Sequence, residues 1–212
     1  MVGQGVLREC LLDNPIEAVL AIGRSSTGQQ NAKLKEVISS DLFDLSSIES
    51  QLSGYDACFF CLGVSAAGMK EQDYRRLTYD LTISVAKTLV VLNPGMAFIY
   101  VSGAGTDSSE RGRMMWARVK GKTENDLLKM PFRATYMFRP GYIQPLHGIR
   151  TKTRWYAALY AVMGPLYPIW KRLLPKYVTT TDCVGRAMIN VARQGAPKPV
   201  LENRDINSLC KQ

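Results

Sequence analysis

Short apolar segments of strand length alternate with longer segments of helical periodicity along most of the chain. The apolar segments predict strands at residues 18–22, 35–38, 57–62, 97–101 and 135–138, with an edge strand at 199–202. Helical periodicity predicts helices at residues 2–12, 72–92, 113–128 and 181–193. Strands and helices that alternate in this way are typical of βα units packed on a parallel sheet. We therefore expect an α/β fold, with residues 1–212 forming a single domain.

The composition is that of a globular protein rather than a disordered, fibrous or secreted one. With 46% hydrophobic and 21% charged residues, the chain can bury a core. Five cysteines, an odd number at irregular spacing, favour reduced thiols over a disulfide framework. Cys58 and Cys61 lie three apart on a predicted strand, so they face opposite sides and are expected to be packed thiols. The start of the chain has no basic segment followed by an apolar one, so we expect a cytoplasmic protein.

Residues that suit a ligand follow the predicted strands. The chain opens on a Gly-x-Gly pair whose first member is Gly3, and Arg24 and Ser25 follow the first strand. The residues after the later strands include Asp41, Leu42, Cys61, Leu62, Gly63, Ser102, Pro140 and Gly141. Ligands of open α/β sheets bind beyond the carboxyl ends of the strands. We therefore expect these residues to line one crevice.

In their order and spacing these residues resemble the extended and atypical short-chain dehydrogenase/reductases, and within them the Tat-interacting-protein type of reductase. The resemblance implies a Rossmann-like, doubly wound parallel sheet with strand order 3-2-1-4-5-6. Gly3 matches the last glycine of the family's G-x-x-G-x-x-G turn, so the first strand and the first two glycines have no counterpart here. We therefore expect a sheet that is missing its first, central strand, and residues upstream of Met1 in the natural protein.

The same resemblance implies a nicotinamide dinucleotide cofactor. It places Gly3 at the pyrophosphate, and Arg24 with Ser25 at the adenosine ribose, where a cation suits a 2′-phosphate. NADP is therefore favoured, with NAD as the alternative. The other cofactor-binding residues that the resemblance implies are Asp41, Leu42, Cys61, Leu62, Gly63, Lys120, Pro140 and Gly141.

The family's hydride transfer uses a serine, a tyrosine as acid/base, and a lysine one helical turn after the tyrosine. Here those catalytic positions hold Ser102, Trp116 and Lys120. An indole N–H donates a hydrogen bond but does not titrate as a phenol does. Three alternatives stay open: an oxidoreductase or epimerase that draws its proton from Ser102, water or Tyr142; a nucleotide-binding regulatory or scaffold protein without turnover; and a truncated, inactive relative.

The C-terminal third supplies the substrate side in this interpretation. Tyr142 and His147 are expected to border an unknown small-molecule substrate, and residues 146–180 to form a small lobe over it. Residues 150–176 combine aromatic and basic side chains, which also suits docking on an anionic membrane surface as an alternative. With one histidine in the chain no metal site is expected, and no motif predicts nucleic-acid binding.

Overall fold

A computed structural model describes residues 1–149 and 176–211. The strands in these ranges are β1 Val19–Gly23, β2 Leu34–Ile38, β3 Ala57–Phe60, β4 Ala97–Val101, β5 Ala134–Arg139, β6 Tyr142–Gln144, β7 Val178–Thr180 and β8 Val200–Glu202. The α-helices are α1 Val2–Leu12, α2 Glu71–Arg75, α3 Leu81–Leu92, α4 Met115–Leu127, α5 Thr181–Gln194 and α6 Asn203–Leu209. A 3₁₀ helix spans Ser46–Gln51, and a π-helical turn, Arg76–Asp80, joins α2 to α3.

The main sheet is parallel and is interrupted at its centre. β1 pairs with β2, while β3, β4, β5 and β8 pair in that order. Within the described residues, β1 pairs with β2 alone and β3 with β4 alone, so each has one edge without a partner strand. A doubly wound order of 3-2-1-4-5-6 leaves this pattern when its first strand is absent. The predicted fold class, a Rossmann-like sheet missing its first strand, is confirmed.

The interruption changes how well the central strands are covered. All five residues of β1 are only partly buried, whereas Ala97, Phe98, Ile99 and Tyr100 of β4 are buried. A strand of a doubly wound sheet is normally covered on both faces and paired on both edges. β4 meets that condition and β1 does not.

Helix α1 packs closely against α5. A Cβ atom added to Gly5 would lie 2.6 Å from Thr181 Cβ, and one added to Gly185 would lie 2.7 Å from Glu9 Cγ. Real Cβ atoms do not approach other carbon atoms so closely, so the two helices cross where glycine leaves room. Thr180 caps α5 by accepting the Cys183 N–H at 3.2 Å.

The apolar side chains form two clusters, one on each side of the sheet. One contains Phe98 and Tyr100, and Cys58 packs against it. The other contains Ile99, and Cys61 packs against it. The prediction that Cys58 and Cys61 are packed thiols facing opposite sides is therefore confirmed.

Several features differ from the sequence analysis. Strands β6 and β7 and helix α6 were not expected, because none is long enough to show a clear period. The expectation of reduced thiols is wrong for two cysteines, since Cys183 and Cys210 form a disulfide. α6 packs against α5, and this contact brings together two residues that are 27 apart in the chain.

Part of the predicted substrate side lies outside the described residues. This applies to most of the lobe at 146–180 and to nearly all of the membrane-docking stretch at 150–176. Among the helices that the structure does describe, none has both the length and the apolar character needed to cross a bilayer.

Candidate functional site

The start of α1 and the end of β3 meet at the carboxyl edge of the sheet. A Cβ atom added to Gly3 would lie 3.4 Å from Cys61 Cβ. Leu62 and Gly63 follow as exposed residues, and a Cβ atom added to Gly63 would meet no other atom within 4 Å. The structure therefore brings two of the predicted cofactor-binding residues together and leaves open space beside a third.

The loop after β1 carries Arg24 and Ser25, both exposed. Glu36 on β2 tethers this loop, because its carboxylate accepts the Ser26 hydroxyl at 2.9 Å and the Thr27 N–H at 2.6 Å. The hydrogen bond from the Thr27 N–H holds the pKa of Glu36 below its usual range. The exposed cation of Arg24 thus belongs to a loop fixed to the neighbouring strand.

The next two predicted cofactor-binding residues, Asp41 and Leu42, differ in their exposure. Asp41 is exposed, and its Oδ1 atom accepts the Phe43 N–H at 2.8 Å. Leu42 is buried and lies in the cluster that contains Phe98. Asp41 is therefore available at the surface, whereas the Leu42 side chain packs into the core.

A buried hydrogen-bond network lies behind the end of β4. The Ser102 hydroxyl donates to Glu124 Oε1 at 2.5 Å, with the Phe138 carbonyl as a second acceptor at 3.2 Å. Arg139 Nε donates to both Glu124 oxygens, at 3.0 and 3.2 Å, and Arg139 Nη2 also pairs with this carboxylate. The Glu124 side chain is 1% exposed and that of Arg139 is 11% exposed. The Ser102 proton is therefore directed toward a buried carboxylate.

Glu124 is a site residue that the sequence analysis missed. It lies four residues after Lys120, which places both on one face of α4. That spacing was the available signal. A carboxylate with almost no exposure must be paired, and only the fold shows that its partner is Arg139.

Lys120 joins the network through the backbone. Its Nζ donates to the Ser102 carbonyl oxygen. Burial lowers the pKa of Lys120 to about 8, while the negative charge of Glu124 acts in the opposite direction. Lys120 is thus an ammonium group held next to the end of β4 that can lose its proton slightly above neutral pH.

Trp116 lies against the loop that follows β4. A Cβ atom added to Gly105 would lie 3.3 Å from the indole Cη2 atom. Gly103 has φ 144°, and a Cβ atom there would meet open space. The indole therefore packs on a glycine-lined loop, one helical turn before Lys120.

Pro140 and Gly141 follow β5 at the same edge. The Pro140 carbonyl accepts the Ala104 N–H at 2.9 Å, which links the loops after β4 and β5. The Gly141 N–H donates to Asn203 Oδ1 at 2.9 Å. A Cβ atom on Gly141 would overlap the Tyr177 carbonyl oxygen, so only glycine fits here.

Tyr142 and His147 both make side-chain hydrogen bonds. The Tyr142 hydroxyl donates to Gln144 Oε1 at 2.9 Å. His147 Nε2 lies 3.0 Å from Asp182 Oδ2, in the first turn of α5. His147 also has φ 55°, a left-handed conformation that the packing against α5 must support. The structure therefore places His147 against α5.

A surface pocket of about 210 Å³ lies between α1 and α5 and is lined by Glu9, Leu12, Asp13, Arg186, Ile189 and Asn190. In residues 1–149 and 176–211, no three histidine, cysteine or acidic side chains are grouped as metal ligands.

Known proteins resemble this chain in sequence and in fold. No protein-family model matches it. Protein fmp52, mitochondrial, from Emericella nidulans is 26% identical over 198 residues, which is 90% of this chain and 82% of that protein. Protein HTATIP2 from Rattus norvegicus is 26% identical over 99% of this chain and 85% of that protein.

The solved structures show the shared fold. ADP-L-glycero-D-manno-heptose-6-epimerase from Helicobacter pylori superposes with a TM-score of 0.66 at 14% identity, over 100% of this chain and 78% of that one. WbmF from Bordetella bronchiseptica, solved in complex with NAD⁺, gives a TM-score of 0.65 at 12% identity, over 98% of this chain and 73% of that one. An oxidoreductase of the short-chain dehydrogenase/reductase family from Burkholderia thailandensis gives 0.64 at 15% identity, over 97% of this chain and 88% of that one.

These comparisons confirm the resemblance to extended and atypical short-chain dehydrogenase/reductases. They contradict the prediction of a cytoplasmic protein, because relatives from Emericella nidulans, Eremothecium gossypii and Candida albicans are named mitochondrial proteins. The cytoplasmic prediction rested on the lack of a secretory pattern, which argues against secretion but does not distinguish one compartment inside the cell from another.

Proposed function

We propose that this chain binds a nicotinamide dinucleotide, with NADP(H) preferred, and acts as an oxidoreductase or epimerase on a small molecule. The observation that carries the proposal is the meeting of α1, β3, β4 and β5 at one carboxyl edge, where Gly3, Cys61, Lys120 and Gly141 lie. The bound cofactor would supply or accept hydride. The chain's own residues would bind and orient it.

The beginning of α1 suits the pyrophosphate. The first helical hydrogen bond runs from the Gly5 N–H to the Met1 carbonyl at 3.2 Å, so the N–H groups of Val2, Gly3 and Gln4 have no acceptor within the helix. Such groups, together with the helix dipole, favour an anion. Gly3 adds no side chain that would hold a phosphate away from the backbone.

Arg24 is the residue we assign to the 2′-phosphate of NADP. Its loop is tethered by Glu36, so the loop backbone needs little ordering when the guanidinium binds. A charge-assisted hydrogen bond contributes roughly 1.5–3 kcal/mol. Arg24→Asp should therefore weaken NADP binding about tenfold to a hundredfold and leave NAD binding little changed.

The measurement is a calorimetric titration of the wild type and the variant with both coenzymes. Lys35→Asp makes the same charge change at an exposed position on β2 and serves as the control. An equal loss for NADP and NAD in Arg24→Asp would remove the basis for the 2′-phosphate assignment.

A second candidate is a dinucleotide-binding regulatory or scaffold protein without turnover. Two observations favour it: Trp116 stands where the resemblance places the acid/base, and the Ser102 hydroxyl donates to Glu124. Losing a general acid costs about 10²–10⁴ in rate without preventing binding. Binding of the dinucleotide alone does not separate the two candidates.

Trp116→Tyr tests turnover directly. In an enzyme that lacks its proton donor, the new phenol beside Lys120 should raise NADPH oxidation against a panel of aldehydes, ketones and quinones. Trp116→Phe, which restores no titratable group, should not. No gain in Trp116→Tyr with dinucleotide binding intact would favour the second candidate.

We also propose that the chain acts in mitochondria, as the names of its relatives suggest. Fluorescence microscopy of the tagged protein with a mitochondrial marker tests this. Docking of residues 150–176 on an anionic membrane stays an alternative, tested by liposome flotation at two salt concentrations, because screening should release the protein.

A further inference from the structure

A disulfide links helix α6 to helix α5. Cys183 lies in the first turn of α5 and Cys210 directly follows α6. Their Cα atoms are 5.1 Å apart, although their sequence separation is 27. The disulfide therefore fixes the end of α6 to the beginning of α5.

Two asparagines of α6, which we call the asparagine clamp, hold the strands at the predicted site. Asn203 and Asn207 both donate to the Val178 carbonyl of β7, at 3.2 and 2.9 Å. Asn203 also accepts the Gly141 N–H at 2.9 Å. The asparagine clamp thus holds the start of β7 and the glycine that precedes β6.

The position of the asparagine clamp depends on how α6 is anchored. α6 has 7 residues, and a helix of that length is not stable by itself in water. Ile206 and Leu209 are buried in the cluster shared with α5, and the disulfide closes the far end. Without the disulfide, α6 would keep this apolar contact, the hydrogen bond from Asn190 Nδ2 of α5 to the Leu209 carbonyl at 2.8 Å, and the capping box of Glu202 and Asp205.

The two sulfur atoms differ in environment. Cys183 is 8% exposed, whereas Cys210 is partly exposed, so we expect an incoming thiolate to attack the Cys210 sulfur. The Cys183 thiolate would then leave at the beginning of α5, where the helix dipole favours negative charge. A stabilised leaving thiolate speeds exchange.

The remaining cysteines do not compete in this chemistry. Burial raises the pKa of Cys10, Cys58 and Cys61 to about 12, so all three are protonated at neutral pH. A protonated thiol is a poor nucleophile toward a disulfide. The disulfide is therefore expected to respond to an external dithiol rather than to internal rearrangement.

We propose that Cys183–Cys210 is a thiol–disulfide exchange site at which a dithiol releases the asparagine clamp from Gly141 and β7. One thiolate of the dithiol attacks the Cys210 sulfur, and the electron pair of the broken S–S bond goes to Cys183. The second thiol then resolves the mixed disulfide, so the protein gains two thiols and the dithiol becomes a disulfide. Release of the asparagine clamp should also weaken dinucleotide binding, and this consequence rests on the proposed function.

The test uses the whole chain with dithiothreitol as the probe. Alkylation followed by mass spectrometry reports the state of each cysteine, and amide hydrogen exchange reports residues 141–144 and 203–209. NADPH titration is run on the oxidised and reduced protein. Cys58→Ala removes a cysteine outside the disulfide and is the matched control, while Cys183→Ala/Cys210→Ala should behave as the reduced protein and ignore dithiothreitol.

Reduction should raise amide exchange in both segments and weaken NADPH binding about fivefold or more. The proposal is overturned if exchange rises in 203–209 alone, or if both Cys183 and Cys210 react with the alkylating reagent before any reductant is added. If the double variant does not fold, titration of the wild type with dithiothreitol still decides between these results. A further outcome is that reduction raises amide hydrogen exchange in both segments while neither the oxidised nor the reduced protein binds NADPH. That result would support the thiol–disulfide exchange site and overturn the proposed dinucleotide function.

Discussion

Replacing Glu124 with leucine should be far more harmful alone than together with a replacement of Arg139. In the single variant Glu124→Leu the guanidinium of Arg139, 11% exposed, loses the carboxylate that it contacts through Nε and Nη2. Leaving one member of a buried ion pair without its partner costs about 3–5 kcal/mol. The Glu202 carboxylate at 3.2 Å still pairs with Arg139, which places the expected loss near 3 kcal/mol, the lower end.

Ser102 adds little to this loss. Its hydroxyl has the Phe138 carbonyl as a second acceptor at 3.2 Å, so the leucine variant does not leave a buried donor without a partner. In Glu124→Leu/Arg139→Met both charges are replaced by apolar side chains of similar length. Such replacements of a buried pair are often neutral or stabilising. The double variant should therefore recover most of the unfolding free energy lost in the single variant.

Urea unfolding followed by circular dichroism measures these differences, provided that the slope of unfolding free energy against urea is unchanged. Glu71→Leu breaks the half-exposed pair with Arg118 and is the control, with an expected loss of about 1 kcal/mol or less. A double variant no more stable than Glu124→Leu would refute the reasoning, because the cost would then not arise from the unpaired charge of Arg139.

Two further predictions follow from the geometry. Gly5→Ala should destabilise the fold by about 1–3 kcal/mol, because the added Cβ meets Thr181. Gly63→Ala, whose Cβ meets no atom within 4 Å, should change stability little. Equal losses of unfolding free energy in urea would contradict the close crossing of α1 and α5. Because Lys120 is an ammonium group below its pKa of about 8, NADPH affinity should be highest at lower pH and fall as pH rises through 8. Lys120→Met should remove that dependence and Lys122→Met should keep it, as measured by fluorescence titration between about pH 6.5 and 9, roughly one unit or more to either side of the Lys120 pKa of about 8. The same pH slope in Lys120→Met would assign the titration to another group.

The sequence predicted well those features that depend on neighbouring residues. α1 begins at Val2 and ends at Leu12, as the periodicity and the following Asp-Asn-Pro indicate. β4 spans Ala97–Val101, the range of its apolar run, and α5 begins at Thr181, as the helical period predicts. Hydrophobic period and stop signals are local properties, so a single sequence carries them. The interruption of the sheet between β1 and β3 also agrees with the expectation drawn from the family resemblance.

The tertiary structure alone decided which distant groups meet. Ser102 donates to Glu124, Arg139 pairs with that same carboxylate, and Asn203 accepts the N–H of Gly141, 62 residues away. Cys183 bonds Cys210 in a chain whose cysteine count suggested free thiols. These contacts arise because helices and strands pack through faces that bring remote segments together, and neither hydrophobic period nor composition records which polar groups will then need partners.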